Sequence, residues 1–153
     1  MTKLKSWRGV TAAGALAITL VGGFEGLRLV AYRDPVGIPT ACFGETKNIR
    51  MGMTFTRGEC DAMLLDSLLE HETGMLKCIK VPVKDDTHVA LLSFTYNVGV
   101  GAFCKSTLVR KLNAGDTAGA CNELLRWNKA GGVALPGLTR RRAEERDLCL
   151  KGA

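Results

Sequence analysis

Residues 24–40 read FEGLRLVAYRDPVGIPT, and this stretch carries most of the information about the fold. It follows an apolar run and interrupts helical periodicity with Pro35, Gly37 and Pro39, a composition typical of turns between short strands. We therefore predict a small antiparallel hairpin between Leu27 and Thr46, near the N-terminus of a chain whose remaining periodicity is mostly helical.

Two carboxylates in the same stretch, Glu25 and Asp34, are candidates for general acid–base chemistry. Glu25 follows the apolar run, where an apolar surrounding favours the neutral acid, whereas Asp34 lies in a polar Arg-Asp-Pro turn and should stay ionised. Hydrolysis of a glycosidic bond needs such a pair, one group to protonate the leaving oxygen and one to handle water or the forming cation. Their spacing alone carries little weight, because the chain has 15 Asp and Glu residues.

The residues around these carboxylates resemble the phage lysozymes of glycoside hydrolase family 24. In that family a Glu, an Asp and a Thr form the catalytic triad, and Glu25, Asp34 and Thr40 match the three positions with the family's spacing. The resemblance continues through FTYNVG at 94–99, STLVRKLN at 106–113 and GLTRRR at 137–142. It implies a mainly helical α+β fold, a bilobed lysozyme-like domain with the small hairpin near its N-terminus and a helical C-terminal lobe.

The resemblance also implies a function, that of a phage endolysin that cuts the β-1,4 bond between N-acetylmuramic acid and N-acetylglucosamine in peptidoglycan and lyses the host. Glu25 would be the general acid, while Asp34 and Thr40 would position or activate the water that attacks C1 with inversion. A threonine hydroxyl can both donate to and accept from one water, so this role is chemically reasonable. Asn97 and Phe103 match a family segment that lines the cleft and are the predicted substrate contacts, although Phe103 also suits the core.

One departure from the family pattern follows Thr40. The family usually has a glycine and a histidine where this chain has Cys42 and Glu45. Because the family's histidine pairs with an acidic residue of the C-terminal lobe, we expect Glu45 to take a cationic partner instead, one of the arginines of the last helix. Cys42 has no nearby histidine in the sequence to serve as its base, which argues against a cysteine hydrolase.

The chain begins with a basic leader, MTKLKSWR, followed by 16 residues without charge from Gly9 to Phe24. This run is shorter than the ~20 apolar residues of a stable spanning helix. It fits an uncleaved anchor that later leaves the membrane, a cleaved signal peptide with ALA at 15–17 as its site, or a buried N-terminal helix of a soluble domain. We favour the first, because the layout resembles the signal-anchor-release endolysins.

This interpretation divides the chain into residues 1–24, a signal-anchor-like segment able to join the catalytic lobe as a helix, and residues 25–153, a lysozyme-like catalytic domain. It predicts a monomer in the host periplasm, first tethered to the inner membrane through residues 9–24, with peptidoglycan as substrate.

Helical periodicity covers most of the chain after the hairpin. The sequence Thr56-Arg57-Gly58-Glu59 has the form of a capping box and predicts a helix from about Thr56 to Met75. Further helix starts are indicated by Asp85 or Asp86, by Ser106, by Asp116 and by Thr139, where a last, strongly charged helix begins.

A net charge of +6 favours an anionic partner such as nucleic acid, an acidic membrane or the bacterial wall. Nucleic acid is not indicated, because none of the nine aromatic residues lies within the arginine run at 140–142.

His71 and His88 have no partners at metal-binding spacing, so we expect neither a metal nor a cofactor. Six cysteines without a CxxC pair favour at least one disulfide and an oxidising compartment.

Two other functions stay open from the sequence. A lytic transglycosylase would also use one Glu, but it would leave an anhydro sugar end and would not require Asp34. A non-enzymatic membrane-binding or wall-binding protein would explain the basic charge and the apolar N-terminus without needing Glu25. The arginines of the last helix are more typical of a solvated helix face with i,i+4 pairs than of a glycan-binding surface.

Overall fold

The computed structural model describes residues 2–153, which form a mainly helical domain with three short hairpins. The helices are α1 Ala12–Glu25, α2 Arg57–Leu76, α3 Asp85–Val98, α4 Val100–Cys104, α5 Thr107–Asn113, α6 Thr117–Glu123 and α7 Pro136–Lys151, with a 3₁₀ turn at Leu124–Arg126. Three antiparallel strand pairs are β1 Lys5–Ser6 with β2 Gly9–Val10, β3 Arg28–Arg33 with β4 Pro39–Cys42, and β5 Lys129–Ala130 with β6 Val133–Ala134. The predicted, mainly helical α+β class is confirmed.

Helix α3 forms the centre of the core, packed against α1, α2 and α7. Nine consecutive residues, Thr87–Thr95, are buried, as expected for a helix surrounded by others. Phe94 contacts the rings of Phe103 and Trp127 edge-on, at centroid distances of 6.2 and 5.2 Å. His88 is buried in this core, and its Nε2 lies 3.2 Å from Glu72 Oε2 of α2.

Helix α1 contains most of the apolar N-terminal run. The Thr11 hydroxyl caps its start by accepting from the Gly14 amide, and Ala17 and Val21 pack in the core. Gly26, with φ of 77°, ends it directly after Glu25. Among residues 2–153, no helix combines the length and the apolar character that crossing a bilayer requires.

The predicted hairpin is present as β3 and β4. Tyr32 lies opposite Thr40 and Arg33 opposite Pro39, while the register is irregular between Arg28 and Tyr32. Only two residues, Gly26 and Leu27, separate the end of α1 from this hairpin, which places Glu25 close to it along the chain.

Most of the predicted helix starts are confirmed. Thr56 and Glu59 make the reciprocal hydrogen bonds of a capping box, and the Ser106 and Asp116 side chains cap α5 and α6. Two predictions need correction. Asp85 lies in the first turn of α3 and Lys84 occupies the cap position, and α7 begins at Pro136 because proline, with its fixed φ, suits the first helical turn.

All six cysteines form disulfides, which confirms the prediction of at least one. The pairs are Cys42–Cys60, Cys78–Cys104 and Cys121–Cys149. The first joins β4 to α2. Cys42 has φ of 59°, a left-handed conformation that favours glycine, and this accounts for the glycine that the family usually has there.

Candidate active site

Glu25 is held at the end of α1 by a buried arginine. Its Oε1 accepts a hydrogen bond from Arg141 Nη1 at 2.9 Å, and 27% of its side-chain surface is exposed. Arg141 is 7% exposed, also donates to the Ser93 carbonyl at 3.3 Å, and stacks over the Phe24 ring at 4.6 Å. The apolar surrounding predicted for Glu25 is therefore only partial, since Phe24 supplies an aromatic face while the principal polar contact is a guanidinium.

Arg141 was not predicted as a site residue, because a run of arginines in a charged helix favours a solvated face. The spacing of residues along the helix could have indicated that Arg141 is buried. Arg141, Glu145 and Cys149 lie four residues apart and share a helix face, and a disulfide cysteine on that face points to burial.

Asp34 and Thr40 are fixed by a single residue of the hairpin turn, Ile38. The Ile38 amide donates to Asp34 Oδ1 at 2.8 Å, and the Ile38 carbonyl accepts from the Thr40 hydroxyl at 2.9 Å. Asp34 Oδ1 also accepts from the Val36 amide at 3.0 Å. Within residues 2–153 its second oxygen, Oδ2, makes no hydrogen bond, so it is free to bind a water.

Thr40 has only 4% of its surface exposed, and its proton is already used by the Ile38 carbonyl. Its oxygen can therefore only accept a hydrogen bond from a water in this arrangement. Asp34 and Thr40, both predicted to position or activate the water, could therefore act on it in different ways. The Asp34 carboxylate can take a proton, and the Thr40 oxygen can orient the water that gives it.

Tyr96 of α3 is partly buried, and its phenol is within electrostatic reach of both Glu25 and Glu45. Burial raises the pKa of Tyr96 to about 12, and the carboxylates of Glu45 and Glu25 add to this effect. The Tyr96 ring also contacts the His71 ring at 4.9 Å. Its phenol is therefore neutral in the physiological range and remains a hydrogen-bond donor near both carboxylates.

The two predicted substrate contacts have different surroundings. Phe103 is fully buried against Phe94, so its assignment as a substrate contact is wrong and it belongs to the core. Asn97 is exposed, and its carbonyl oxygen accepts from the Arg142 guanidinium. That bond orients the amide and leaves its NH₂ group available, so the role of Asn97 stays a prediction.

The model of the phage lysozyme family matches residues 22–145, a range that contains Glu25, Asp34 and Thr40. The chain belongs to the phage lysozyme family. A SAR-endolysin of Bacteriophage PS119 is 46% identical over 148 residues, covering 94% of this chain and 89% of the relative. The predicted class of enzyme, a glycoside hydrolase of the lysozyme type, is confirmed.

Solved structures show the same lysozyme fold. A mutant of P22 lysozyme is 32% identical and superposes with a TM-score of 0.84, covering 98% of this chain and 99% of that one. The active form of P1 phage endolysin is 25% identical, with a TM-score of 0.79 over 92% of this chain and 84% of its own. The secreted inactive form of that endolysin gives only 0.55, at 21% identity and coverage of 92% and 95%. The backbone of this chain thus superposes better on the first of these two structures than on the second.

The partner predicted for Glu45 in this lysozyme is wrong. Within residues 2–153 it forms no ion pair with an arginine of α7, and both carboxylate oxygens instead accept from the Ser67 hydroxyl of α2 at 3.2 Å. The reason is geometric, because β4 packs on α2, which brings Ser67 next to the loop that carries Glu45. Burial raises the pKa of Glu45, the Ser67 hydrogen bond opposes this shift, and the nearby charge of Glu70 adds to it.

We expect Glu45→Gln to stabilise the lysozyme at neutral pH and not at low pH. Since the pKa of Glu45 is raised in the folded state, protonation favours folding, and this contribution is lost as pH rises through the folded pKa. Glutamine keeps an acceptor for Ser67 and cannot ionise. The gain should be under ~1 kcal/mol because the half-buried group is partly solvated. Urea unfolding at pH 4 and pH 7 measures it.

Ser67→Ala is the matched control for that comparison. It removes the donor that stabilises the charged form of Glu45, so it should lower stability at pH 7 more than at pH 4. A loss of stability for Glu45→Gln that grows toward neutral pH would contradict the assignment.

A buried charge network on α7 lies next to the lysozyme site. The prediction that the arginines of the last helix form a solvated face is therefore wrong for Arg141 and Arg142. Arg142 is 1% exposed and Glu145 is fully buried, and the two form an ion pair. Arg142 Nε also donates to the Trp127 carbonyl at 2.9 Å, and the guanidinium binds Asn97. The network connects α7 to α3 and to the loop after the 3₁₀ turn, so it fixes the helix that carries Arg141.

Proposed function

We propose that this chain is an endolysin that hydrolyses the β-1,4 bond between N-acetylmuramic acid and N-acetylglucosamine in peptidoglycan, with Glu25, Asp34 and Thr40 as its catalytic residues. The observation that carries the proposal is the pairing of a partly buried Glu25 with Arg141, next to a hairpin in which Ile38 holds Asp34 and Thr40 together. Membership of the phage lysozyme family supports it.

The proposed reaction follows from these contacts. Protonated Glu25 gives its proton to the bridging oxygen as the bond from that oxygen to C1 breaks. A water that donates a hydrogen bond to the Thr40 oxygen attacks C1. It transfers its other proton to the free oxygen of Asp34, which leaves a hydroxyl on C1. Arg141 stabilises the carboxylate that remains on Glu25. Exchange with solvent then restores both groups.

Mass spectrometry of borohydride-reduced products tests this proposal. Digestion of purified peptidoglycan should release fragments that end in reduced N-acetylmuramic acid and have gained one water per cut. Anhydro ends would show a lytic transglycosylase, and reduced N-acetylglucosamine ends would show cleavage of the other bond. The absence of any released fragment would indicate a binding protein, and each of these three results would overturn the proposal.

We also propose that residues 9–24 first lie in the bacterial inner membrane and then leave it, so that a monomeric enzyme acts in the periplasm. The uncharged run and the relatives named SAR-endolysin support this. In the structure the leader is folded onto the domain: Leu4 is fully buried, its carbonyl accepts from the Thr11 amide at 3.0 Å, and Lys3 pairs with Asp85 at 2.8 Å. With residues 9–24 across a bilayer, the leader and the domain would lie on opposite sides of the membrane, so on this proposal the burial of Leu4 and the pairing of Lys3 with Asp85 arise only after release.

Leu4→Ala tests the part of this proposal that concerns the leader. Because Leu4 is fully buried and lies outside the uncharged run, the change should lower the stability of the released enzyme by ~2–5 kcal/mol without altering the segment that would enter the membrane. Trp7→Ala is the control within the same leader, since it removes a larger side chain that is 81% exposed and should change the stability little. Equal melting temperatures for both variants and the wild type would contradict a docked leader.

A further inference from the structure

A cavity of about 760 Å³ lies between α1 and the first turns of α7 and is not explained by the catalytic residues. Leu20 and Phe24 of α1 form one wall, and Leu138 of α7 lies on the other. Phe24 immediately precedes Glu25. The cavity is therefore adjacent to the acid and is lined by apolar side chains on two helices.

The cavity shares a wall with the catalytic site through Arg141. This residue lines the cavity and at the same time donates to Glu25 Oε1 at 2.9 Å. A substrate bound at Glu25 would therefore lie next to the cavity. Its occupant is most simply a part of the substrate itself.

Two opposite charges of α7, Arg140 and Glu144, also line the cavity. Both are exposed, and within residues 2–153 neither forms an ion pair, although they are four residues apart on one helix. Neighbouring charged residues of α7 are paired, as Arg146 is with Asp147 at 3.0 Å. The cavity therefore offers one free cation and one free anion on the same helix face.

The start of α7 adds to the positive side of this cavity. No side chain caps the helix, and the first-turn residues Gly137 and Leu138 line the cavity. Amide groups in the first turn have no partners within a helix and favour anions. Together with Arg140 they fit a carboxylate, while Glu144 fits an ammonium group.

We propose that this cavity binds the peptide stem of peptidoglycan, with a stem carboxylate on Arg140 and the start of α7, and a stem ammonium on Glu144. The inference rests on the proposed function and names a further part of its substrate. Glycan rings in the wall are uncharged apart from the group that carries the stem, so they do not account for two free opposite charges. A short peptide with acidic groups and an amino group does, and its carbon chain suits the apolar wall.

Arg140→Ala and Glu144→Gln test this proposal on two soluble substrates, glycan strands that carry their stems and the same strands stripped of stems by an amidase. On stem-bearing strands, we expect KM to rise roughly tenfold for Arg140→Ala, the size of one lost charge-assisted hydrogen bond, and less for Glu144→Gln. On stripped strands, the variants and the wild type should differ by less than about twofold on the same reasoning. Arg146→Ala is the matched control, since Arg146 is on α7 outside the cavity.

The outcomes separate this inference from the proposed function. A wild-type enzyme inactive on both kinds of strand would overturn the proposed function. An active wild type whose Arg140→Ala variant is impaired equally on both substrates would show that the cavity binds glycan, and a variant unimpaired on both would show that it binds neither. Each of these last two results would overturn the peptide assignment alone.

Discussion

Glu25→Gln should reduce the clearing of purified peptidoglycan by about 10³-fold, because glutamine has no proton to give to the leaving oxygen. The substitution preserves the shape of the side chain, and its amide oxygen can still accept from Arg141, whose Nη1 lies 2.9 Å from Glu25 Oε1. Binding of the substrate should therefore change little, and the loss should appear in kcat. Initial rates from turbidity at several substrate concentrations measure both quantities.

The loss of rate can be assigned to the missing acid only if the Glu25→Gln protein is folded. Arg141 keeps its bond to the Ser93 carbonyl and lies 3.6 Å from Glu145, so its charge is not left without a partner and the melting temperature should stay close to that of the wild type. Glu70→Gln, which changes an exposed carboxylate of α2, is the control for loss of one charge. A folded Glu25→Gln variant that retained a large share of the wild-type rate would remove Glu25 from its role as the acid.

Arg142→Met should have the largest effect on stability, a loss of ~3–5 kcal/mol. Methionine fills the space but leaves the fully buried Glu145 without its Arg142 partner and removes the donors to the Trp127 carbonyl and to Asn97. Glu145 would keep only Arg141, whose Nε lies 3.6 Å from Oε2 without a hydrogen bond, and this incompletely compensated buried carboxylate is the costly element. Urea unfolding at neutral pH measures the loss.

Two further variants isolate the ion pair as the cause. Arg140→Met removes the preceding, exposed arginine of α7 and should change stability by less than ~0.5 kcal/mol. The double variant Arg142→Met, Glu145→Leu should recover part of the loss, because it no longer buries an unpaired charge. If Arg142→Met alone unfolded at the same urea concentration as Arg140→Met, the buried network would contribute nothing to the fold.

The elements that the sequence predicted well are those decided by neighbouring residues. The hairpin follows from Pro35, Gly37 and Pro39, and the start of α2 follows from the Thr56 and Glu59 capping box, both of which act within a few positions. The same is true of the Ser106 and Asp116 caps. The three candidate catalytic residues were found because they lie in one continuous stretch.

What the sequence could not predict depends on which helix packs against which. Arg141 and Arg142 are buried because α7 packs along α3, and a run of arginines read on its own favours solvent. The hydrogen bond from Ser67 to Glu45 also depends on packing, since α2 lies next to the loop that carries Glu45. The disulfide pairs likewise required the fold, because six cysteines allow 15 complete pairings.

The N-terminal run shows why one composition supported several interpretations. Small apolar residues suit a weak membrane anchor and also suit close helix packing. In α1 the packing is demanding at Gly14 and Gly22: an added Cβ would lie 2.1 Å from the Leu4 carbonyl oxygen and 3.0 Å from the Phe43 ring. These glycines therefore have a role in the folded domain, whichever surroundings the segment occupies first.

The anomeric configuration of the first product tests the catalytic arrangement most directly. Time-resolved ¹H NMR during the first turnovers on a soluble glycan strand distinguishes the α from the β anomer of the new reducing end. Direct attack by a water held between Asp34 and Thr40 predicts that the α anomer forms first and that the β anomer grows only by mutarotation. Initial formation of the β anomer would show a retaining reaction and would contradict the assigned roles of Asp34 and Thr40.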